Sequence, residues 1–456
     1  MSPPRSVQAI HNNRVPPVDP FDAAEKALPK ETEVVVVGGG IAGASTALFL
    51  AQRGVPTVLC EKGKIAAEQS SRNWGWVRKM GRDPREMPLM IEAMRIWERA
   101  EQLVGADLGF RRSGIVYLCE DEEELSRREA WLGAVAPYQI DSRLISGSEL
   151  ERILPGSARS WAGGLYTESD GRAEPQKTAV AFVRAAESAG AKLFTDCAVR
   201  GVETAAGRVC AVVTEKGSIK CRAVVLAGGA WSSMFCRNLG IRLPQLKVLA
   251  SVMRLAAFEG GPDSAALGPG FAFRKRLDGG YTIANGHLNV ADIVPDSFRF
   301  FRDFTPVLQI EWRSLKLRLG KRFLEEIRFS RHWDLDEVTP FERVRVLDPA
   351  PYIPALASAK RNLERAFPVF QGKAVSDCWA GLIDATPDAV PVISGVDTLP
   401  GLFISTGFSG HGFGIGPAAG FLIADLVTGR EPIVDPSPFR YSRFTNGERP
   451  LPTTGL

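Results

Sequence analysis

The sequence predicts an α/β protein: a parallel-sheet domain assembled from separated pieces of chain, interleaved with an α+β domain on a mainly antiparallel sheet. Three observations predict it. Residues 33–60 run from a valine-rich strand through a glycine cluster and an Ala/Leu-rich helix into a second apolar strand, which is one βαβ unit. A strand, a glycine-rich turn and a helix return at residues 401–429, bringing the chain back to the first sheet. Between them, residues 245–295 alternate apolar and polar side chains, the period of a sheet with one buried face. At 456 residues the chain also exceeds the roughly 250–300 that one hydrophobic core serves.

Residues 1–30, rich in Pro, Asn and charge, read as an irregular lead-in. The valines within 33–37 suit a strand buried on both faces. A helix is expected over 41–53, ended by Gly54, and a strand over 55–60. Further helices are expected over 88–105, 121–135 and 175–189, the second opened by the acidic run 120–124, which complements its dipole. Short strands at 192–195, 199–204, 208–214, 218–220 and 223–227 make a meander back to the main sheet. Residues 304–327 read as helical. Arg313, Lys316, Arg318, Lys321, Arg322 and Arg328 lie around that helix rather than on one stripe, with Leu315, Leu317, Leu319 and Phe323 between them. This suits a solvated helix, with docking to a membrane surface as the alternative. A strand at 401–406 and a helix over 417–429 complete the pattern. The expected division is a lead-in (1–30), a first domain (31–90, 170–240, 375–435), a second domain (91–169, 241–374) and a tail (436–456).

Composition narrows the function. A net charge of +4 is too small for a nucleic-acid binder or a strongly membrane-attracted surface. The seven cysteines are odd in number and contain no CxxC pair, so neither a zinc knuckle nor a disulfide framework is indicated, and no metal site is expected. The N-terminus lacks a secretory signal, and no run of about 18 apolar residues could span a membrane. The expectation is a cytoplasmic protein, with homo-oligomers allowed.

Gly38-Gly39-Gly40-Ile41-Ala42-Gly43 is a GxGxxG placed where its chemistry needs it, after a strand and at the start of a helix. Gly38 permits the tight turn, Gly40 lets backbone approach a pyrophosphate, and Gly43 lets helix and strand pack closely. The helix amino end, with Ile41 and Ala42, presents free N–H groups to the diphosphate. Glu61, eighteen residues past Gly43 and at the end of the next strand, can accept from ribose hydroxyls, with Lys62 beside it. This is a Rossmann-type dinucleotide site, and FAD and NAD share it. Only one full GxGxxG occurs, so no second site for a nicotinamide dinucleotide is evident. Two further glycine turns, Gly228-Gly229-Ala230-Trp231-Ser232 and residues 407–414, the latter before a helix, suit a polar ring edge that gains negative charge on reduction.

The segments VVVVGGGIAGASTALFLAQRG, VVLAGGAWS, CWAGLIDATPDAVPVI and GFSGHGFGIGPAAG, in this order, resemble the D-amino-acid-oxidase-type flavoprotein superfamily, which includes glycine oxidase, sarcosine oxidase and D-amino acid dehydrogenase. The resemblance spans roughly residues 33–430. It implies FAD at the junction of two interleaved domains and oxidation of a C–N bond by hydride transfer to flavin N5. It assigns Gly38, Gly40, Gly43 and Glu61 to the ADP moiety, Ser71 and Arg72 to the loop near the phosphates, and Val199 to the adenine; Trp74 is a candidate for packing under the flavin. Gly228 and Trp231 join them, and Gly410, His411 and Gly412 cover the flavin pyrimidine.

Two departures from the family pattern matter. Where the glycine-oxidase type carries an arginine that clamps the substrate carboxylate, this chain has Ile383, followed by Asp384. Cys378 lies eight residues before Thr386, too far for the flavin tether of the sarcosine-oxidase type, so FAD is expected to be non-covalent. Residues 70–78, Ser-Ser-Arg-Asn-Trp-Gly-Trp-Val-Arg, place aromatics beside arginines, which suits an aromatic-walled pocket with a cationic anchor. Trp76 and Arg78 are candidates for substrate contact, with packing under the flavin as the alternative. Asp384 either holds a substrate ammonium or caps a turn. Chains of the family that carry this Asn-Trp-Gly-Trp segment include L-specific amino acid oxidases, so the resemblance, together with Ile383, implies the L-enantiomer.

The expected reaction is oxidative deamination of an α-amino acid, with the flavin performing the redox step, no protein group as catalyst, and oxygen as acceptor. A quinone-linked D-amino acid dehydrogenase and a 2-hydroxy acid oxidoreductase are the alternatives on the same scaffold, and a non-enzymatic FAD-holding factor is a third.

Overall fold

The computed structural model describes residues 14–21, 27–312, 314–447 and 450–453. Strand β1 (Val34–Val37), helix α1 (Ile41–Gln52) and strand β2 (Thr57–Cys60) form the expected βαβ unit, β1 and β2 being parallel. Successive valines make β1 apolar on both faces, and both are used. Val34 and Val36 pack in one core with α1, whereas Val35 packs with Val58 and Val224 in another. The sheet has six strands in the order Val392–Gly395, Leu402–Thr406, Ala223–Leu226, β1, β2, Lys192–Phe194. All neighbours are parallel except the outermost pair, Val392–Gly395 and Leu402–Thr406. The carboxyl ends of three central strands therefore lie side by side, which sets Gly38, Glu61 and Ala227 around one crevice.

The next stretch of chain supplies β3 (Trp76–Val77), α2 (Met87–Glu98), β4 (Ile115–Cys119) and α3 (Glu122–Val135). The second sheet has ten strands, including β4 at one side and a long central strand, β5 (Leu246–Leu255). Strand β5 is antiparallel to Tyr281–Ala284, to Asn289–Asp292 and to β6 (Val375–Ala385). The mainly antiparallel second sheet read from the alternation at 245–295 is thus present. Strand β6 carries Trp379, Gly381 and Ile383, and its end touches the parallel sheet, Asp384 Oδ2 accepting from Thr406 Oγ1 at 3.1 Å.

Three expectations are corrected. The helix expected over 304–327 is instead a helix (Phe301–Glu311), a strand (Leu315–Arg318) and a second helix (Lys321–Ile327). Leucines 315, 317 and 319 alternate with Lys316 and Arg318, a period of two, and the strand pairs in parallel with Asn289–Asp292. Of the cations there, Arg318 and Arg322 are paired, whereas Lys316, Lys321 and Arg328 are exposed as expected. Arg318 meets Asp292 at 2.6 Å, Arg322 meets Glu326 at 2.5 Å, and Lys247 meets Glu326 at 3.0 Å. Large apolar side chains are exposed among them, with Phe298, Trp312 and Leu319 at 69, 65 and 70%. Arg313 lies outside the described residues.

Second, the last helix, α4 (Gly412–Thr428), begins five residues before Pro417 and not at it. Glycines explain the early start. A Cβ on Gly416 would lie 2.9 Å from Ile41, and one on Gly420 would lie 2.4 Å from Ser45, so α4 packs on α1 with its backbone. Third, the first core does not stop near residue 90: Met94, Trp97 and Leu108 pack in it, and Trp97 Nε1 donates to Gly414 O at 2.8 Å. Among the described residues, no helix is long and apolar enough to cross a membrane.

Candidate active site

The glycines of the turn after β1 have separate physical reasons. Gly38 has φ +111°, and a Cβ there would lie 2.5 Å from Ala227 O. A Cβ on Gly43 would lie 2.0 Å from Gly38 O. One on Gly40 would meet only Ser70 Oγ, at 3.0 Å, because this glycine opens into a cavity. Glu61 Oε2 accepts from Gly39 N at 2.7 Å and Oε1 from Gly63 N at 2.8 Å, so the carboxylate ties the end of β2 to the glycine turn. Burial raises its pKa, opposed by Lys62 and those two N–H groups.

A smaller cavity of about 110 Å³ is lined by Gly38, Gly40, Glu61, Lys62, Val199, Gly228 and Trp231. Lys62 Nζ donates to Glu68 at 2.8 Å and sits 4.5 Å from the Trp231 ring centre, so it braces the loop. A larger cavity of about 870 Å³ continues from it, sharing Gly40, Gln69, Ser70, Ala227 and Gly229. Its lining includes Ile41, Ala42, Arg72, Trp74, Trp76, Arg78, Asp384, Gly410, His411 and Gly412.

The structure therefore gathers most of the expected residues around one continuous space and revises four roles. Ser71 is buried and lines neither cavity; Ser70 does, and its Oγ accepts from Ile41 N at 2.9 Å. Arg72 reaches the larger cavity, yet its guanidinium is held by Asp348 at 2.6 Å and by Ala380 O at 2.9 Å. Of the two readings of Asp384, its contacts supply the turn cap: Oδ2 accepts from Gly407 N at 2.7 Å and Thr406 Oγ1 at 3.1 Å, fixing the turn before α4. Gly43 lines no cavity, its part being the close helix contact above.

Other residues are apparent only in three dimensions. Trp74 and Trp76 meet edge to face at 5.3 Å, and Trp76 lies 6.3 Å from Tyr117 of β4. The segment between them is pinned by Arg274, which donates to Trp74 O and pairs with Glu174 at 2.9 Å. Burial alone would raise the Glu174 carboxyl; Arg274 outweighs it and brings it to about 2. Beneath α4, His411 Nδ1 lies 2.9 Å from Glu86 Oε2, and Arg82 Nη2 donates to His411 O at 3.3 Å. Burial lowers the His411 pKa, opposed by the neighbouring Glu86 carboxyl. The Arg82/Glu86 pair has the i, i+4 spacing a sequence could signal, whereas Tyr117 carries no such mark.

Asp170 supports the turn behind Arg78, accepting from Lys79 N at 2.8 Å and Met80 N at 3.1 Å. Burial raises its carboxyl to about 6. A carboxyl that binds its proton more tightly when folded stabilises the fold fully below the unfolded range, near pH 4, and loses that contribution as pH rises through about 6. Urea unfolding of wild type and Asp170→Asn at pH 5 and pH 8 is expected to show wild type losing stability relative to the variant at the higher pH. An unchanged difference would contradict this.

The residues fit FAD: a glycine turn that a Cβ would block, a helix amino end beside it, an acidic residue after β2, and a cavity running on to a second helix amino end. None of the seven cysteines but Cys60 lines either space, and Cys60 lies at the glycine-turn end. The family model described as FAD dependent oxidoreductase (DAO) matches residues 33–426. This chain belongs to the DAO family of FAD-dependent oxidoreductases. Its relatives include the glycine oxidase of Pseudomonas putida, 26% identical over 89% of this chain and 97% of that one. The sarcosine oxidase subunit beta of Rhizobium meliloti is 24% identical, covering 91% and 89%. Among solved structures, the L-amino acid deaminase from Proteus myxofaciens, in complex with anthranilate, superposes with a TM-score of 0.91 at 35% identity, covering 95% and 97%. The L-amino acid deaminase from Proteus vulgaris gives 0.89 at 35%, covering 93% and 100%. As a DAO-family member the chain is a FAD-binding enzyme of amino acid oxidation.

Proposed function

We propose that this enzyme oxidises the Cα–N bond of an L-α-amino acid. The amino acid, water and oxygen would give the 2-oxo acid, ammonia and hydrogen peroxide. The carrying observation is Arg78. It lines the larger cavity and donates to Met80 O, and among the described residues it has no carboxylate partner. Position 383, where the glycine-oxidase pattern carries its arginine, presents Ile383 to the same cavity. An anchor beside β3 in place of β6 moves the carboxylate to a different wall. With amine and Cα–H kept at the reacting face, that exchange favours the opposite enantiomer. The names of the Proteus neighbours agree with this reading.

Bound FAD supplies the acceptor for the Cα hydride. Gly38, Gly40, Glu61 and the amino end of α1 would hold its ADP half, and Gly410 to Gly412 its ring edge. There the amino end of α4 favours negative charge. Trp74 and Trp76 wall the substrate from water, and Arg78 orients it. Asp384 is engaged by the loop and His411 by Glu86, so the amine loses its proton to solvent.

The test is anaerobic flavin bleaching by both enantiomers of an amino acid panel, with 2-hydroxy acids alongside. Bleaching by L-amino acids is expected; no bleaching by any of them, or faster bleaching by the D-forms, overturns the reading. One observation favours a quinone over oxygen as acceptor. The apolar side chains exposed between Phe298 and Ile327 would suit contact with a lipid surface. Reoxidation by air with stoichiometric peroxide supports oxygen, and reoxidation only on adding a quinone supports the second reading.

A further inference from the structure

The reaction proposed above needs one cation for the α-carboxylate, and the cavity wall holds a second. Arg78 and Arg128 both line the larger cavity, their guanidinium carbons 6.0 and 5.0 Å from the centre of the Tyr117 ring. The other arginines of the wall are paired: Arg72 with Asp348, Arg82 with Glu86, and Arg127 with Glu123 and Glu124. Among the described residues neither Arg78 nor Arg128 has an ion pair. The acids near them are engaged, Asp170 by the N–H groups of Lys79 and Met80 and Glu86 by His411. Arg128 stands against the Tyr117 ring and the Cys119 thiol, and Glu124, which also faces that thiol, accepts from Glu120 N at 2.7 Å and pairs with Arg127.

The same wall carries donors without acceptors. Trp76 Nε1, Arg82 Nη1 and Arg128 Nε are buried and make no hydrogen bond, and Trp76 and Arg82 are only 7 and 1% exposed. Buried N–H groups are costly to leave unpaired, and guanidinium forks match carboxylates in geometry. The two free cations also stand at different depths. Arg78 follows β3, which runs under the amino end of α4: a Cβ on Gly414 would lie 3.6 Å from Val77 Cα. Arg128 comes from α3, whose cavity-lining Ala130 and Ala134 are exposed and mark the mouth.

We infer that the substrate is an α-amino dicarboxylic acid, its α-carboxylate on Arg78 and its side-chain carboxylate on Arg128. This rests on the amino acid oxidase reading, of which it names the substrate class. A neutral side chain leaves Arg128 and the donors around it without an anion, which is the kind of mismatch that discriminates strongly.

The test compares glutamate and aspartate with glutamine and asparagine, isosteric pairs differing in one charge, by anaerobic flavin reduction and kcat/KM. The acids are expected to exceed their amides by on the order of 100-fold, and Arg128→Gln to bring that ratio near unity. Amides or other neutral amino acids reacting as well as the acids would overturn the inference while leaving amino acid oxidation intact. So would an acid-to-amide ratio unchanged in Arg128→Gln. If no amino acid reduces the flavin, the functional reading itself fails, and binding decides the subsite. Titration of the flavin absorbance with succinate and with butyrate should then show tighter binding of the dicarboxylate in wild type only, and equal binding of both would refute the subsite.

Discussion

Arg78→Gln is expected to lower kcat/KM for the best L-amino acid substrate by on the order of 10²–10³-fold, about 3–4 kcal/mol, with the flavin still bound. The size follows from losing a charge-assisted, two-pronged contact to a carboxylate beside the Trp74 and Trp76 rings. Two alternatives are separable. If Arg78 only braced the turn at Met80, the variant would lose thermal stability and flavin along with activity. If Arg78 orients the substrate, flavin content and Tm stay near wild type, and Arg78→Lys recovers part of kcat/KM by supplying charge without the planar fork. Wild-type kcat/KM in a folded, yellow Arg78→Gln variant would remove Arg78 from the site.

The other large effect is expected at Gly43. The Cβ of Gly43→Ala would be placed 2.0 Å from Gly38 O and 3.1 Å from Gly38 C, both backbone atoms of the phosphate turn. Neither can swing aside as a side chain would, so α1 must move off β1 at a cost beyond about 3 kcal/mol. The expected protein has little or no bound flavin, read from its visible flavin absorbance per chain, and a clearly lowered Tm. Gly40→Ala separates the two uses of the motif. Its Cβ meets only Ser70 Oγ at 3.0 Å, so this variant should fold while holding FAD more weakly. Full flavin occupancy in Gly43→Ala would refute the packing argument.

Legibility in the sequence tracks how local each cause is. The βαβ unit could be read because its strand, glycine turn and helix are adjacent, and each residue's job is set by backbone geometry within one turn of chain. The loop at 407–412 could be read for the same reason, though the start of α4 could not, since Gly416 and Gly420 owe their meaning to Ile41 and Ser45 of α1. The segment 304–327 was misread because charge and leucine content suit one helix, while the pairing of Leu315–Arg318 with Asn289–Asp292, distant in the chain, makes its middle a strand.

The site divides along the same line. Sequence by itself determined that the chain builds a dinucleotide cradle at Gly38–Gly43 and Glu61, because a tight turn, a close approach and an acidic strand end each demand a residue type. It also located the Trp76–Arg78 segment. Only the tertiary structure decided that Ser70, not Ser71, meets the end of α1, that Asp384 belongs to the loop, and that Tyr117 and Arg128 stand beside Arg78. Those are relations between side chains far apart in the chain. Whether a charge is free or already paired depends on which partner the packing of two sheets brings within reach, and no residue carries that information alone.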